Sequence, residues 1–255
     1  MEHLYKKSEL TFALVWIALY SILQSLANSL NGLIGVEFSA NAAVNILLTA
    51  ILFRFIQKNG LLQRYGICKT SIPPQKFLWY IPLLILASHN LWNGAALNLP
   101  LAGTVCYLLY MLCVGFLEEA IFRGLLFKAI AKDNIKSAIV VSSVTFGLGH
   151  LLNLFNGSGM GLVANLCQVM GAIAIGFLFV TIFYRSGSLI SCIITHSAID
   201  MVSAFANEAD LTAEKRILFS LSRLVIVVGY TLFLQKMLPH PEEETHHTAP
   251  KESIF

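Results

Sequence analysis

The chain has 255 residues, of which 56% are hydrophobic and only 12% are charged, and its mean hydropathy is +0.72. Soluble domains carry about 25% charged residues, so the composition excludes a soluble globular protein and predicts an all-α, polytopic membrane bundle. The net charge of +3 gives no basis for binding nucleic acid. The placement of the basic residues matters more, because it sets topology.

Lys6 and Lys7 precede an apolar run from Leu10 to about Leu30. A cleaved signal has an apolar region of only about 7–15 residues, so this run reads as a first span with the amino terminus inside. Residues 31–40 hold no lysine or arginine and suit the outside, and a second span follows over about Asn41–Gln57. Arg54, Lys58, Arg64, Lys69 and Lys76 make the next connection cytoplasmic. Pro73-Pro74 ends any helix there, and Trp79-Tyr80 mark the interface at which a third span, Phe77–Trp92, begins.

A fourth span covers about Leu101–Phe127, followed by the cytoplasmic Lys128, Lys132 and Lys136. No charged residue occurs from Ser137 to Tyr184, and the Asn/Gly-rich stretch 153–159 divides that run into a fifth span (Lys136–Leu152) and a sixth (Gly161–Tyr184). After an inside turn at Arg185–Ser188 comes a seventh span, Leu189–Ala206, and after an outside segment, Asn207–Lys215, an eighth ending near Leu238. The expectation is therefore about eight spans with both termini cytoplasmic. Residues 1–238 form a single transmembrane domain, and 239–255 form a polar, disordered tail. The five cysteines show no CxxC or metal-type spacing and receive no function.

Charge inside the spans is what needs explaining. No charged residue lies between Lys76 and Glu118, after which Glu118, Glu119 and Arg123 occur together in apolar sequence. A charged side chain at mid-bilayer costs at least about 2.5–3.5 kcal/mol. On a helix, Glu119 and Arg123 share a face, whereas Glu118 is rotated by about 100°. Either Glu119 pairs with Arg123 and leaves Glu118 free for chemistry, or all three form a structural ion cluster. His150 follows Phe146 in the fifth span, and His196 and Asp200 share a face of the seventh, so that Asp200 can orient the imidazole. Counted at about 1.5 Å per residue from the inner ends, Glu118 and His196 lie about 14 Å deep, and Asp200 and His150 about 20 Å. Three helices thus offer an acid–base set to one cavity. A carboxylate or imidazole that takes a proton from water, with a histidine near the developing oxyanion, suffices for amide hydrolysis without a serine or cysteine nucleophile.

The motifs EExxxR (Glu118, Glu119, Arg123), FxxxH (Phe146, His150) and HxxxN/D (His196, Asp200) resemble, in order, those of the CAAX-protease and bacteriocin-processing family (Abi, type II CAAX prenyl endopeptidase-like) of intramembrane glutamate proteases. The resemblance spans about residues 102–202. It implies that Glu118 and His150 activate water, that His196 and residue 200 stabilise the oxyanion, and that Glu119 and Arg123 hold the site together. Many members carry asparagine where this chain has Asp200. An ionised aspartate cannot donate a hydrogen bond, so it must be protonated or must orient and charge His196. The resemblance implies no cofactor. Zinc stays open as an alternative, since Glu118, His150 and His196 supply a His₂Glu ligand set, although the helical HExxH signature is absent.

The leading expectation is an intramembrane endopeptidase acting on a lipidated protein or a peptide precursor, multi-pass in a membrane that the short loops suggest is bacterial. A non-catalytic immunity or scaffold protein on the same fold is the runner-up. A proton-coupled transporter is a third class, but no inverted repeat is visible. Arg223 lies inside the eighth span. The plainer reading is that it snorkels to the outer surface or pairs with an acid; the alternative is that it receives a substrate carboxylate.

Overall fold

The computed structural model describes residues 1–154, 161–209 and 211–239. The expected disordered tail lies outside the described residues apart from Pro239, as does most of the connection at 153–159. The described residues form a helical bundle whose elements are α1 (Glu2–Lys7), α2 (Glu9–Ile34), α3 (Ser39–Lys58), α4 (Ile81–Ala87), α5 (Leu101–Glu118), α6 (Lys128–Ile130), α7 (Ile135–Gly149), α8 (Leu162–Ser186), α9 (Ile190–Ser203) and α10 (Ala213–Met237). A π-helix, Glu119–Phe127, joins α5 to α6 without a break. Among the described residues six helices are long and apolar enough to cross a membrane. Large apolar side chains such as Leu84, Ile194 and Val225 face outward, as lipid-facing surfaces require.

The third and seventh expected spans take shorter forms. α9 has 14 residues, and the stretch expected as the third span is broken. Leu78, Trp79 and Tyr80 adopt left-handed backbone angles, with φ between 50° and 59°. Only then does α4 start, with proline near its first turn. Pro82 lacks the N–H that a helix continuing from Phe77 would need, so the helix begins there instead of passing through. A 3-10 turn, His89–Leu91, follows α4.

The broken segment and the chain on either side of it, from Gly66 to Ala96, nevertheless follow α9 from end to end. At one end the Leu189 N–H donates to the Gly66 carbonyl (2.8 Å), and Ser188 Oγ donates to the Cys68 carbonyl. At the other end the Ala96 N–H donates to the Phe205 carbonyl (2.9 Å), and the Asn207 N–H to that of Gly94 (3.2 Å). Between them the Asn90 side chain donates to the Ile199 carbonyl.

On the side of the basic loops, Glu9 bonds both Arg64 and Lys132, and Glu2 pairs with Lys58. These contacts tie the amino-terminal helices to two connections expected to be cytoplasmic. Toward the opposite side, α2 and α3 share a buried amide ladder. Gln24 donates to Asn45 (2.6 Å), and Asn41 donates to Asn28 (2.9 Å). Asn41 and Asn45 are fully buried, and interhelical polar bonds of this kind contribute about 0.6 kcal/mol on average within a bilayer. One apolar cluster unites α2, α3 and the π-helix through residues such as Trp16, Leu52 and Ile121. A second unites α4, α8 and α10 through Leu86, Phe179 and Tyr230. The polar site lies at their junction.

Candidate active site

The site begins where α5 widens into the π-helix at Glu119. Segments of π-helix are rare and occur often at functional sites. The serine of a neighbouring helix supports this one, since Ser142 Oγ donates to the Phe122 carbonyl (2.9 Å). Three glycines bring the surrounding helices close. A Cβ on Gly115 would lie 2.6 Å from the Ser197 backbone nitrogen, drawing α5 onto α9, and one on Gly147 would lie 2.8 Å from that of Ile173, drawing α7 onto α8. Gly176 meets the Ser143 backbone in the same seam. Small residues at such crossings let membrane helices pack at short range.

The two glutamates separate as their spacing predicts. Glu119 and Arg123 are fully buried and paired at 2.9 Å. The Arg123 guanidinium also lies over the Phe146 ring, 4.1 Å from its centroid, with Phe179 at 5.7 Å. Phe146 thus caps the one buried cation of the inner site, a contact that attracts through the ring quadrupole. Glu118 points elsewhere and keeps 15% of its side-chain surface. Its Oε1 accepts a hydrogen bond from Tyr20 Oη at 2.8 Å. Its Oε2 stands 3.7 Å from His196 Nε2, beyond hydrogen-bond range. One carboxylate oxygen is therefore fixed and the other turned to the cavity.

His196 is held from both sides. Its Nδ1 is 2.8 Å from Glu119 Oε1, and its Nε2 is 3.3 Å from Asp200 Oδ2. Glu119 is engaged with Arg123, and a carboxylate only accepts, so Nδ1 carries the hydrogen. Glu119 thus holds Nδ1, and Asp200 stands beside the other nitrogen, the one that looks into the cavity. Phe146 sits between the two histidines, its centroid 5.5 Å from the His150 ring and 5.6 Å from that of His196. The His150 carbonyl accepts from Asn165 Nδ2 (2.9 Å), anchoring the end of α7 to α8.

Glu118, His150, His196 and Asp200 line one cavity of about 560 Å³. Its inner end holds the acids. From there it runs along Tyr107 and Tyr110, whose hydroxyls sequence reasoning left aside, and reaches Asn93, Asn207 and Arg216. Those last residues flank the ends of α9 and α10 farthest from the basic loops. Among the described residues no group of three His, Cys, Asp or Glu side chains is arranged to hold a metal ion.

Arg223 follows neither part of its plainer reading. No acid lies within ion-pair distance among the described residues, and the side chain does not reach outward. It turns into the cavity wall. Tyr20, on α2, is a residue that sequence reasoning missed. A lone tyrosine in a spanning helix carries no signal in spacing, and only the packing of α2 beside the π-helix reveals it.

Residues 100–202 match the family model described as type II CAAX prenyl endopeptidase Rce1-like. The match covers the segments that carry the three motifs, and it leaves Tyr20 and Arg223 outside. No curated protein and no solved structure matches the chain. With the three motifs lying in order inside the matched segment, residues 100–202 of this multi-pass membrane protein are similar to the type II CAAX prenyl endopeptidase Rce1-like family.

Proposed function

We propose that the protein is an intramembrane endopeptidase of the glutamate type, acting on a lipidated protein or a membrane-associated peptide. The observation that carries this reading is the state of Glu118, with one oxygen held by Tyr20 and the other without a hydrogen bond among the described residues, beside His196 at the cavity. A purely structural ion cluster would leave no such oxygen.

In the proposed reaction, water between Glu118 Oε2 and His150 gives a proton to the carboxylate as its oxygen adds to the amide carbon. The carbonyl oxygen becomes an oxyanion and meets Nε2–H of His196, a ring held in place by Glu119. Asp200, beside Nε2, favours a proton on that nitrogen and accepts the bond before substrate displaces it. Collapse of the intermediate breaks the C–N bond, and the proton held by Glu118 passes to the departing amine. No metal enters this scheme.

The direction of the cavity bears on the substrate. Its mouth at Asn93, Asn207 and Arg216 lies opposite the loops that carry Arg64, Lys69, Lys128 and Lys132. Under the positive-inside rule that mouth opens on the extracytoplasmic side. A substrate that has been inserted or exported, such as a peptide precursor, meets the site directly.

The test is cleavage of a panel of lipidated and leader-type peptides by the purified protein in lipid, compared with Glu118→Ala and with a zinc chelator. Cleavage that persists with chelator and vanishes in the variant supports the reading. Loss on chelation, or cleavage by Glu118→Ala, overturns it.

A further inference from the structure

The cavity has opposite charges at its two ends. Glu118 and Asp200 face it at the inner end. On the outer wall, Arg223 of α10 and His89 after α4 face the same space. The guanidinium is built into that wall rather than loosely placed. Nη2 donates to the Cys167 carbonyl of α8 at 3.3 Å. The guanidinium occupies a notch in α8 that exists because residue 171 is glycine, since a Cβ there would lie 2.5 Å from Cζ.

That clasp uses one nitrogen. Among the described residues Arg223 Nε is buried without a hydrogen-bond partner, and so is His89 Nδ1. Arg216, nearer the mouth, differs in facing Glu208 at 3.5 Å. A half-buried cation with no counter-charge among the described residues is costly in a poorly solvated wall. Its Nη1 has no hydrogen-bond partner among them and is not one of the occluded atoms, so it is the donor that an anion in the cavity meets.

We propose that Arg223, assisted by His89, is the receiving site for the carboxyl-terminal carboxylate of the peptide substrate. This rests on the peptidase reading above and fixes the polarity of the bound chain. The acids at the inner end repel a carboxylate and Arg223 attracts it, so the free carboxyl end lies toward the outer mouth while the bond to be cut lies at Glu118. Guanidinium–carboxylate contacts in a poorly solvated wall are strong and directional. An anionic lipid headgroup shares the chemistry but is the weaker candidate. Arg223 faces the cavity, whereas the lipid-type groove on the α8–α10 seam is lined by apolar neighbours such as Met170 and Leu224.

The experiment compares one peptide with a free carboxyl end and the same peptide amidated, in neutral-lipid vesicles. Binding to the Glu118→Gln protein is measured alongside cleavage by the otherwise unaltered enzyme, so that absence of cleavage would sink the peptidase reading without obscuring the binding result. The expected result is a preference of about 10- to 100-fold for the free acid, seen in Kd and in KM rather than kcat. Arg223→Gln removes that preference by weakening only the acid. Arg223→Lys keeps part of it, and Gly171→Ala, which leaves the charge but fills the notch, reduces it. Equal binding of acid and amide by the unaltered site overturns the proposal. So does an equal loss for both peptides in Arg223→Gln and Arg223→Lys, which would mark a structural clasp. Erasure of the preference by phosphatidylglycerol would assign the site to lipid instead.

Discussion

Removing one member of the Glu119–Arg123 pair should do far more harm to folding than removing both. Each side chain is fully buried and the two stand 2.9 Å apart. Breaking such a pair leaves an uncompensated charge and costs about 3–5 kcal/mol, whereas replacing both partners by apolar groups of similar volume is often close to neutral. Loss of the Arg123 contact with Phe146 adds up to about 2 kcal/mol. Glu119→Met and Arg123→Met should therefore each lower stability by about 3–5 kcal/mol, and the double variant by no more than about 2. Activity should not follow stability. The double variant lacks the partner of His196 Nδ1, a charged hydrogen bond worth about 1.5–3 kcal/mol, and should stay about 10- to 100-fold slower than the unaltered enzyme. The assay is reversible unfolding in mixed detergent micelles, with cleavage measured on the same preparations. Additive losses in the double variant, or recovery of full activity with its stability, would refute this account of the pair.

Tyr20→Phe removes the donor that holds Glu118 Oε1; a bond to a charged acceptor is worth about 1.5–3 kcal/mol, so kcat should fall about 10- to 100-fold with the melting temperature little changed. Gly115→Ala places a Cβ against the Ser197 backbone, and overpacking of that kind should cost about 1–3 kcal/mol of stability. In a protein freed of its native cysteines, Asn207→Cys should react with a membrane-impermeant thiol reagent added outside cells, and Lys69→Cys should react only after lysis. The reverse pattern would invert the assigned topology.

The helical membrane fold and the inner site were legible because each left a signal in one dimension. The run without charge from Ser137 to Tyr184, the basic loops, and the i, i+4 pairing of Glu119 with Arg123 and of His196 with Asp200 all depend on local spacing. What sequence reasoning lost depends on contacts between distant segments. Tyr20 lies 98 residues from Glu118, and the Glu119 bond to His196 bridges 77. Helix periodicity placed Asp200 beside the imidazole, where it lies 3.3 Å from Nε2, but periodicity could not supply the second partner, Glu119, on the other ring nitrogen. The broken third span was readable in part. Pro82 stands five residues after the expected start at Phe77, and apolar composition outweighed it. For Arg223, the length of its stem favoured snorkelling, and the space that Gly171 leaves on a distant helix for its guanidinium carries no signal in local spacing.

The central claim is that Glu118 makes this a peptidase rather than a peptide-binding protein on a protease fold. The most direct measurement follows binding and cleavage of one peptide in the same lipid samples, with the unaltered protein and Glu118→Gln. The account predicts that both bind with similar affinity and that the variant cuts about 10²- to 10⁴-fold more slowly, the usual contribution of a general base. Cleavage by Glu118→Gln at the unaltered rate, or binding by both proteins with cleavage by neither, would contradict it.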